Sequence, residues 1–196
     1  MKKLMFTWIF VLVAALCSAD DNLELLIGPE LIAQRISEVA LQIDQDYQNE
    51  DLVVIMVMKG AVCIGADLIR HLHTPLTLEY MKASSYGQNG MTSGAVKITG
   101  LDTLDISGKH VLIVDDIFDT GKTMNGIVTQ LQQKNPKSLK TLVMLLKKVP
   151  RQIIYLPDYT LFEIEDRFVV GFGLDYKEHY RGLPGIYAFI NDTPPN

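Results

Sequence analysis

The sequence has few cysteines and no excess of positive charge. Its two cysteines, Cys17 and Cys63, lie far apart, which excludes a disulfide framework and a zinc site. We expect Cys63 to be a small buried hydrophobe. The net charge is −5, so the chain lacks the excess of positive charge that is typical of nucleic-acid-binding proteins. An anionic ligand must therefore be held by a local site. With no internal repeat after residue 20, the 196 residues suit one globular domain.

Two known signatures are incomplete in residues 111–124, which read VLIVDDIFDTGKTM. A Walker A loop ending in this TGKT needs a glycine where the chain has Asp116, and a carboxylate there would repel phosphate. The triplet DTG occurs in aspartic proteases, which need two such aspartates sharing a proton. The chain has one DTG, and a helical pattern follows it. Neither an NTPase loop nor half of a protease fits this segment.

Residues 1–20 form an apolar, leader-like segment ahead of a predicted domain at 21–196. A basic start, MKK, precedes the run LMFTWIFVLVAAL and a small residue at the end of CSA. This layout is that of a secretory signal peptide, and the run is short for a membrane span. A misplaced start codon or an apolar extension would produce the same pattern.

The remaining chain alternates between helical and strand patterns. Continuous apolar runs indicate strands covered on both faces, and this alternation predicts an α/β fold with a mainly parallel sheet. Residues 87–105 are rich in Gly, Asn, Ser and Thr and predict a mobile loop or a long hairpin. The predicted helices are 29–47, a helix after 60 and 121–135, and the predicted strands are 52–58, 77–86, 111–116, 139–147 and 168–173.

The aspartates of VLIVDD predict a ligand site at the end of a buried strand. Ligands of open parallel sheets bind at the carboxyl ends of the strands, where Asp115 and Asp116 fall. Neighbouring side chains on a strand point to opposite faces, so the two carboxylates need not share one task. The helix that follows offers free backbone N–H groups, with the hydroxyls of Thr120 and Thr123, to a monoester phosphate. A phosphorylated ribose presents partners for both groups.

The same segment resembles a family motif. VLIVDDIFDTGKT is similar to the phosphoribosyl-pyrophosphate (PRPP) binding motif of type I phosphoribosyltransferases. The surrounding segments, which occur in order over about residues 22–190, resemble the hypoxanthine-guanine phosphoribosyltransferase family: MKG, SSYG, NPKSLKTLVMLLKK and DRFVVGFGLDYKEHYRGLP. The resemblance implies the type I phosphoribosyltransferase fold, in which helices flank a mainly parallel twisted sheet, with a small hood and a mobile loop. It also implies Mg²⁺-dependent purine salvage, in which PRPP and hypoxanthine, or guanine, give IMP, or GMP, and pyrophosphate.

By this resemblance, one group of residues binds PRPP. Asp115 and Asp116 are the acidic pair that contacts the ribose hydroxyls and metal, although the family commonly has Glu at the first position. Asp175 is a ligand of the Mg²⁺ bound to pyrophosphate and lies near the purine edge. The family holds a non-proline cis peptide in its pyrophosphate loop. The resemblance assigns the 5′-phosphate to Thr120, Gly121, Lys122 and Thr123, and pyrophosphate to Lys59, Gly60 and Arg181.

A second group handles the purine by the same resemblance. Asp119 is the general base for the proton on purine N7, a task that suits a carboxylate whose pKa is raised by burial. Lys147 donates to the 6-oxo group, which selects hypoxanthine and guanine over adenine, and Lys148 is the competing candidate. Phe168 stacks on the base, and the backbone of Val169 reads its edge.

Ser85 and Tyr86 begin the mobile loop, which in the family closes over the site and excludes water. The alternative function is a non-catalytic PRPP-sensing regulator with the same fold. An acidic chain with intact purine segments and no added DNA-binding domain favours the enzyme. The resemblance implies a homodimer or homotetramer, without nucleic acid or a stable membrane partner. PRPP is cytoplasmic, so we expect the cytoplasm, and the leader-like segment leaves export as the alternative.

Overall fold

The computed structural model describes residues 22–85, 96–100, 103–151 and 155–190. Within these residues the chain forms nine strands and three helices. The strands are β1 (Leu23–Ile27), β2 (Leu52–Met58), β3 (Leu76–Ser85), β4 (Val96–Thr99), β5 (His110–Phe118), β6 (Ser138–Lys147), β7 (Tyr159–Ile164), β8 (Val169–Val170) and β9 (Ile186–Phe189). The helices are α1 (Pro29–Asp46), α2 (Val62–His71) and α3 (Lys122–Gln132).

The central sheet has six strands in the order β4-β3-β2-β5-β6-β7. All neighbours are parallel except β4, which runs antiparallel to β3 at the edge. Helices cover both faces of this sheet, which accounts for the continuous apolar runs in β2 and in the first part of β5. Val54 and Leu112 belong to the core under α1 and α2, whereas Ile55 and Ile113 belong to the core under α3. The predicted α/β fold with a mainly parallel sheet is confirmed.

A smaller antiparallel sheet, β1-β9-β8, forms the hood. Leu23 pairs with Phe189, and Val169 pairs with Ala188. Four of its buried side chains, Ile27, Val169, Ile186 and Ala188, join the core under α1 and α2. The hood is therefore packed onto the sheet through one apolar cluster and holds β8 and the loop after it.

Most predicted elements are confirmed, and their ends shift by a few residues. The helix predicted over 29–47 matches α1, and the strand predicted over 52–58 matches β2. The strand predicted over 168–173 is correct only for β8, because Gly171 (φ +99°) and Gly173 (φ +103°) turn the chain after it. Strands β1, β7 and β9 were not predicted, since each is a short run without a distinctive boundary.

Of the two alternatives predicted for 87–105, a mobile loop or a long hairpin, the antiparallel pairing of β4 with β3 supports the hairpin. Ser85 is the last residue of β3, whereas Tyr86 and the residues up to β4 lie outside the described part of the chain. The leader-like segment 1–20 also lies outside it. Cys63 is half-buried rather than fully buried. Among the described residues, none of the helices combines the length and apolarity that a membrane crossing requires.

Candidate active site

The predicted site residues cluster at the carboxyl ends of β2 and β5, where the strand order reverses. From β2 the chain passes through α2 to β3 on one side, and from β5 it passes through α3 to β6 on the other. The two loops therefore diverge and leave a crevice between them, which is the usual ligand site of open α/β sheets. Lys59 and Gly60 follow β2, while Asp115 and Asp116 lie near the end of β5.

Glycines allow three segments to meet in this crevice. A Cβ atom at Gly60 would lie 1.7 Å from Oδ2 of Asp116. On the hood side, a Cβ atom at Gly173 would lie 2.1 Å from the carbonyl oxygen of Gly60. The peptide bond between Met58 and Lys59 is cis, as the resemblance led us to expect for this loop. The loop after β2 is therefore enclosed between β5 and the hood.

The paired aspartates face different parts of the crevice. Asp115 lines a cavity beside the start of α3, whereas the carboxylate of Asp116 lies against Gly60. Burial and the neighbouring charge of Asp116 raise the pKa of Asp115 well above its ordinary value. Burial also raises the pKa of Asp116, although hydrogen bonds and the charge of Arg181 oppose the change. Two carboxylates held this way suit a ligand that brings hydroxyl groups or a cation.

The start of α3 forms a cavity of about 140 Å³. Its N-cap residue is Gly121, in a left-handed conformation (φ +80°), which has no side chain to occupy the N–H groups of the first turn. A Cβ atom there would lie 2.6 Å from the buried ring of Phe118, so that glycine is also required by packing. These N–H groups and the helix dipole suit a phosphate. The lining residues are Asp115, Ile117, Phe118, Asp119, Thr120, Gly121, Lys122, Thr123 and Met124.

Asp119 is exposed in this structure, whereas we expected a buried carboxylate at this position. Its main chain leaves β5 directly after Phe118, which is only 1% exposed. The backbone of Asp119 is therefore held while its carboxylate is open to a ligand. Any burial of that carboxylate must come from what binds above it.

The cations near β2 and the hood form an ion cluster. Nζ of Lys59 donates to Oε2 of Glu178 at 2.8 Å, and Nη2 of Arg181 lies 3.5 Å from the same oxygen. Nη2 of Arg181 also lies 2.7 Å from Oδ1 of Asp175, and Nη1 donates to the carbonyl oxygen of Gly173 at 2.7 Å. The hydrogen bond from Lys59 lowers the pKa of Glu178. Sequence reasoning paired Lys59 with Arg181 but missed Glu178.

The backbone of the hood loop is tightly wound around this cluster. Four residues without a glycine's freedom have left-handed backbone angles: Phe172 (φ 47°), Lys177 (φ 50°), Glu178 (φ 68°) and Tyr180 (φ 73°). Such conformations are uncommon and persist where the surroundings enforce them, most often at binding sites. The winding brings Asp175 and the residues after it back toward β2.

The structure separates the two lysines that end β6. Lys147 is 13% exposed in its side chain, and its Nζ donates to Oδ1 of Asp166 at 3.0 Å. Lys148 is 51% exposed and pairs with Glu165. Consecutive residues of an extended chain face opposite sides, and of these two side chains that of Lys147 is the less exposed. Asp166 leads into Phe168 and β8, so Lys147 is paired with the segment that carries Phe168.

Phe168 has one ring surface free for contact. It is 39% exposed and packs edge-on against Tyr176, with ring centroids 5.8 Å apart. Phe189 supports it from the hood at the same distance. Val169 is buried and held in β8 by its pairing with Ala188. A flat apolar ligand can therefore stack on Phe168 beside a fixed strand.

Sequence reasoning also missed Arg151, which contacts the backbone of both Asp119 and Lys147. It follows Pro150 in a segment without a recognised motif, so no local signal identified it. A larger open depression of about 490 Å³ lies at the amino ends of the strands, beside Glu50, His110 and Lys137. It contains none of the predicted site residues, and the chemistry is concentrated at the opposite edge of the sheet.

Comparisons with known proteins agree with this geometry. Residues 24–177 match the family described as "Phosphoribosyl transferase domain". The chain is 44% identical over 167 residues to the hypoxanthine-guanine phosphoribosyltransferase of Aquifex aeolicus, covering 85% of this chain and 94% of that protein. It is 37% identical over 185 residues to the enzyme of that name from Homo sapiens, covering 89% of this chain and 84% of that protein.

Solved structures give the same result. A crystal structure of a hypoxanthine-guanine phosphoribosyltransferase from Bacillus anthracis superposes with a TM-score of 0.80 at 38% identity, covering 85% of this chain and 98% of that one. A hypoxanthine phosphoribosyltransferase from Staphylococcus aureus gives a TM-score of 0.81 at 35% identity, covering 88% and 94%.

Proposed function

The chain belongs to the phosphoribosyl transferase domain family, and from this premise we propose how its crevice carries out purine salvage. The enzyme transfers the 5-phosphoribosyl group of PRPP to hypoxanthine or guanine and releases IMP or GMP and pyrophosphate. The alternative, a non-catalytic PRPP-sensing regulator, is unsupported, because the relatives reported above are named as transferases.

One observation carries the assignment of the subsites. The start of α3, the aspartate pair and the cations of β2 and the hood lie around one crevice at the strand-order reversal. A phosphate, a ribose and a pyrophosphate occur in PRPP in that same order. Lys147 is the last residue of β6 and Phe168 directly precedes β8, and we assign the purine base to these two residues.

We assign the 5′-phosphate to the backbone N–H groups of Thr120–Thr123, where the charge of the helix dipole is favourable. Lys122 is exposed, so it contributes through its backbone. We assign the pyrophosphate to the side chain of Lys59, the neighbouring backbone N–H of Gly60 and the guanidinium of Arg181. These contacts require that Glu178 leave the two cations.

The ribose hydroxyls and Mg²⁺ are assigned to the carboxylates of Asp115, Asp116 and Asp175. Carboxylate oxygens are the ligands that Mg²⁺ prefers, and this cation usually takes its other ligands from substrate phosphates and water. When bound, Mg²⁺ neutralises the charge of the departing pyrophosphate.

The chemical step then needs positioned groups around the base. As the bond between C1′ and the pyrophosphate oxygen breaks, a purine nitrogen bonds to C1′, and Asp119 accepts the proton from N7. Lys147 donates to the 6-oxo group, Phe168 stacks on the ring, and the backbone of Val169 contacts the ring edge. Holding the reactants at contact distance accounts for a large part of the acceleration.

A PRPP-dependent assay across adenine, guanine, hypoxanthine and xanthine tests this function. We expect product with hypoxanthine and guanine, dependent on Mg²⁺, and little with adenine, whose 6-amino group is itself a donor. Omission of PRPP and addition of EDTA are the controls. No product with either oxopurine would refute the function, and equal use of adenine would refute the role of Lys147.

The finer assignments concern assembly and location. We propose a homodimer or homotetramer, in keeping with Leu78 (41% exposed) and Tyr80 (65% exposed), which share one face of β3. Light scattering on the purified protein measures this directly.

We place the enzyme in the cytoplasm, where its substrate is made. N-terminal sequencing of the native protein tests that choice, and a chain beginning at Asp20 would contradict it.

A further inference from the structure

Arg151 joins the ends of two neighbouring strands. Its Nε donates to the carbonyl oxygen of Asp119 at 3.0 Å, and its Nη2 donates to the carbonyl oxygen of Lys147. Asp119 follows β5 and Lys147 ends β6, so one guanidinium bridges the carboxyl ends of both strands. The rigid fork of arginine makes two such bonds at a fixed separation, which a lysine cannot do.

The guanidinium is itself held in place by an aromatic ring. Its Cζ lies 5.4 Å from the centroid of Phe118, within the range of a cation–π contact. Phe118 is only 1% exposed and directly precedes Asp119. Because this ring is buried at the end of β5, it positions the guanidinium relative to β5, and the hydrogen bond to its carbonyl oxygen then positions Lys147 relative to the guanidinium.

The two residues that Arg151 joins are those proposed to contact one edge of the purine. N7 and O6 of an oxopurine lie side by side on that edge. Asp119 is assigned to N7 and Lys147 to O6, so the distance between their backbones must match a fixed spacing in the base. A misplacement of about 1 Å can cost on the order of 10²-fold in rate.

We propose that Arg151 is a positioning residue that sets the spacing between Asp119 and Lys147, and through them determines the selectivity for 6-oxopurines. This inference rests on the proposed roles of those two residues. The contacts of Arg151 are to the backbone of Asp119 and Lys147 and to the ring of Phe118. Its loss relaxes the spacing, so Lys147 loses its contact with O6 while the PRPP contacts on β2 and the hood remain.

Selectivity is the readout that separates positioning from mere stability. The ratio of kcat/KM for hypoxanthine to that for unsubstituted purine, which lacks the 6-oxo group, reports the Lys147 contact. We expect Arg151→Ala to lower kcat/KM for hypoxanthine by about 10- to 100-fold and to reduce this ratio several-fold, with KM for PRPP within about twofold. Loss of folded protein alone would lower kcat/KM for both bases by the same factor and leave their ratio unchanged.

Arg35 provides a matched control. Its Nε donates to the carbonyl oxygen of Leu161 at 3.0 Å and its Nη2 to that of Thr160 at 3.4 Å, so it also binds two strand carbonyls, but on β7. Arg35→Ala should leave the ratio unchanged. An equal change in Arg35→Ala, or an unchanged ratio in Arg151→Ala, would overturn the proposal.

Two further outcomes remain informative. If Arg151→Ala does not fold, Arg151→Gln carries the test, because its amide can reach one carbonyl, and an unchanged ratio there also overturns the proposal. If the wild-type enzyme converts neither hypoxanthine nor guanine, the proposed function fails. A working wild type with an unaltered ratio in the Arg151 variants removes only the positioning role.

Discussion

The ammonium of Lys59 and the carboxylate of Glu178 lie 2.8 Å apart across the mouth of the crevice. Glu178 also lies 3.5 Å from Nη2 of Arg181. The protein's own carboxylate therefore contacts the two cations proposed to bind pyrophosphate. Since Glu178 is 64% exposed in its side chain, it can leave without disturbing the core.

We predict that Glu178→Gln strengthens the binding of pyrophosphate and PRPP. Removing the internal competitor should lower the Kd of each by about two- to fivefold, a modest change because exposed ion pairs are weak. Calorimetric titration with pyrophosphate measures it. Glu165→Gln breaks the comparable exposed pair with Lys148 and should have no effect. Weaker binding in Glu178→Gln would show that this carboxylate assists the ligand instead.

The Asp119→Asn variant is expected to lose turnover while retaining its affinity for PRPP. The amide cannot accept the proton of N7, so kcat should fall by about 10²- to 10⁴-fold. The phosphate contacts come from backbone N–H groups that the substitution leaves in place, and the Kd for PRPP should therefore be unchanged. Asp105→Asn, at an 84% exposed side chain, is the control. Unaltered kcat would exclude Asp119 as the base.

The lysine pair at the end of β6 gives a prediction that compares neighbours. Lys147→Ala should raise KM for hypoxanthine and guanine and lower kcat/KM by about 10- to 100-fold, the usual effect of losing a charged hydrogen bond. Lys148→Ala should leave these constants unchanged, because its side chain faces away and is 51% exposed. Steady-state kinetics with both bases decides between them, and the reverse pattern would shift our assignment by one residue.

The sequence was sufficient where chemistry and local structure coincide. Asp115–Thr123 lies at the end of an apolar run and the start of a helix, so its position at the carboxyl edge followed from a local pattern. The choice between Lys147 and Lys148 needed the strand pairing that sets which side chain faces the hood. That pairing depends on β7, a strand that carries no strong signal of its own.

Contacts between distant segments were beyond reach of the sequence. Lys59 and Glu178 are 119 residues apart, and Arg151 reaches Asp119 across 32 residues. No spacing pattern in the sequence links either residue to its partner. The exposure of Asp119 was also not predictable, because the sequence of a carboxylate residue after a buried strand is the same whether its side chain points inward or outward.

The buried aspartates predict an unusual pH dependence of stability. Burial raises the pKa of Asp115, so the folded protein binds this proton more tightly than the unfolded chain does. The resulting stabilisation is complete below the unfolded pKa of about 3.9 and is lost as pH rises through the higher folded value. In EDTA and without PRPP, the enzyme should therefore become less stable with rising pH over that window.

Asp115→Asn should remove this decrease in stability with rising pH. At neutral pH we expect its Tm to rise by a few degrees, since about 1 kcal/mol shifts Tm by roughly 2–4 °C in a chain of this size. Asp46→Asn is the control of opposite sign, because hydrogen bonds from Lys140 and Tyr159 lower the pKa of Asp46. It should lose stability at neutral pH. Thermal melts across the pH range measure both, and a lower Tm for Asp115→Asn would contradict the prediction.

The contact between Gly60 and Asp116 gives the sharpest steric prediction. A Cβ atom at position 60 would lie 1.7 Å from Oδ2 and 2.3 Å from Cγ of Asp116, far inside any permitted contact. Gly60→Ala must therefore displace either that carboxylate or the loop that carries Lys59. Either movement separates the ribose contacts from the pyrophosphate contacts.

We expect Gly60→Ala to lower kcat/KM for PRPP by about 10²-fold or more, the scale associated with a shift of about 1 Å at a reacting centre. Gly28→Ala is the matched control, since a Cβ atom there would meet only Oε2 of Glu30 at an ordinary 3.5 Å. Combining Gly60→Ala with Asp116→Ala removes the clash. If the double variant is no more impaired than Asp116→Ala alone, the damage caused by the alanine at position 60 acts through that carboxylate; additive losses would instead place it in the loop.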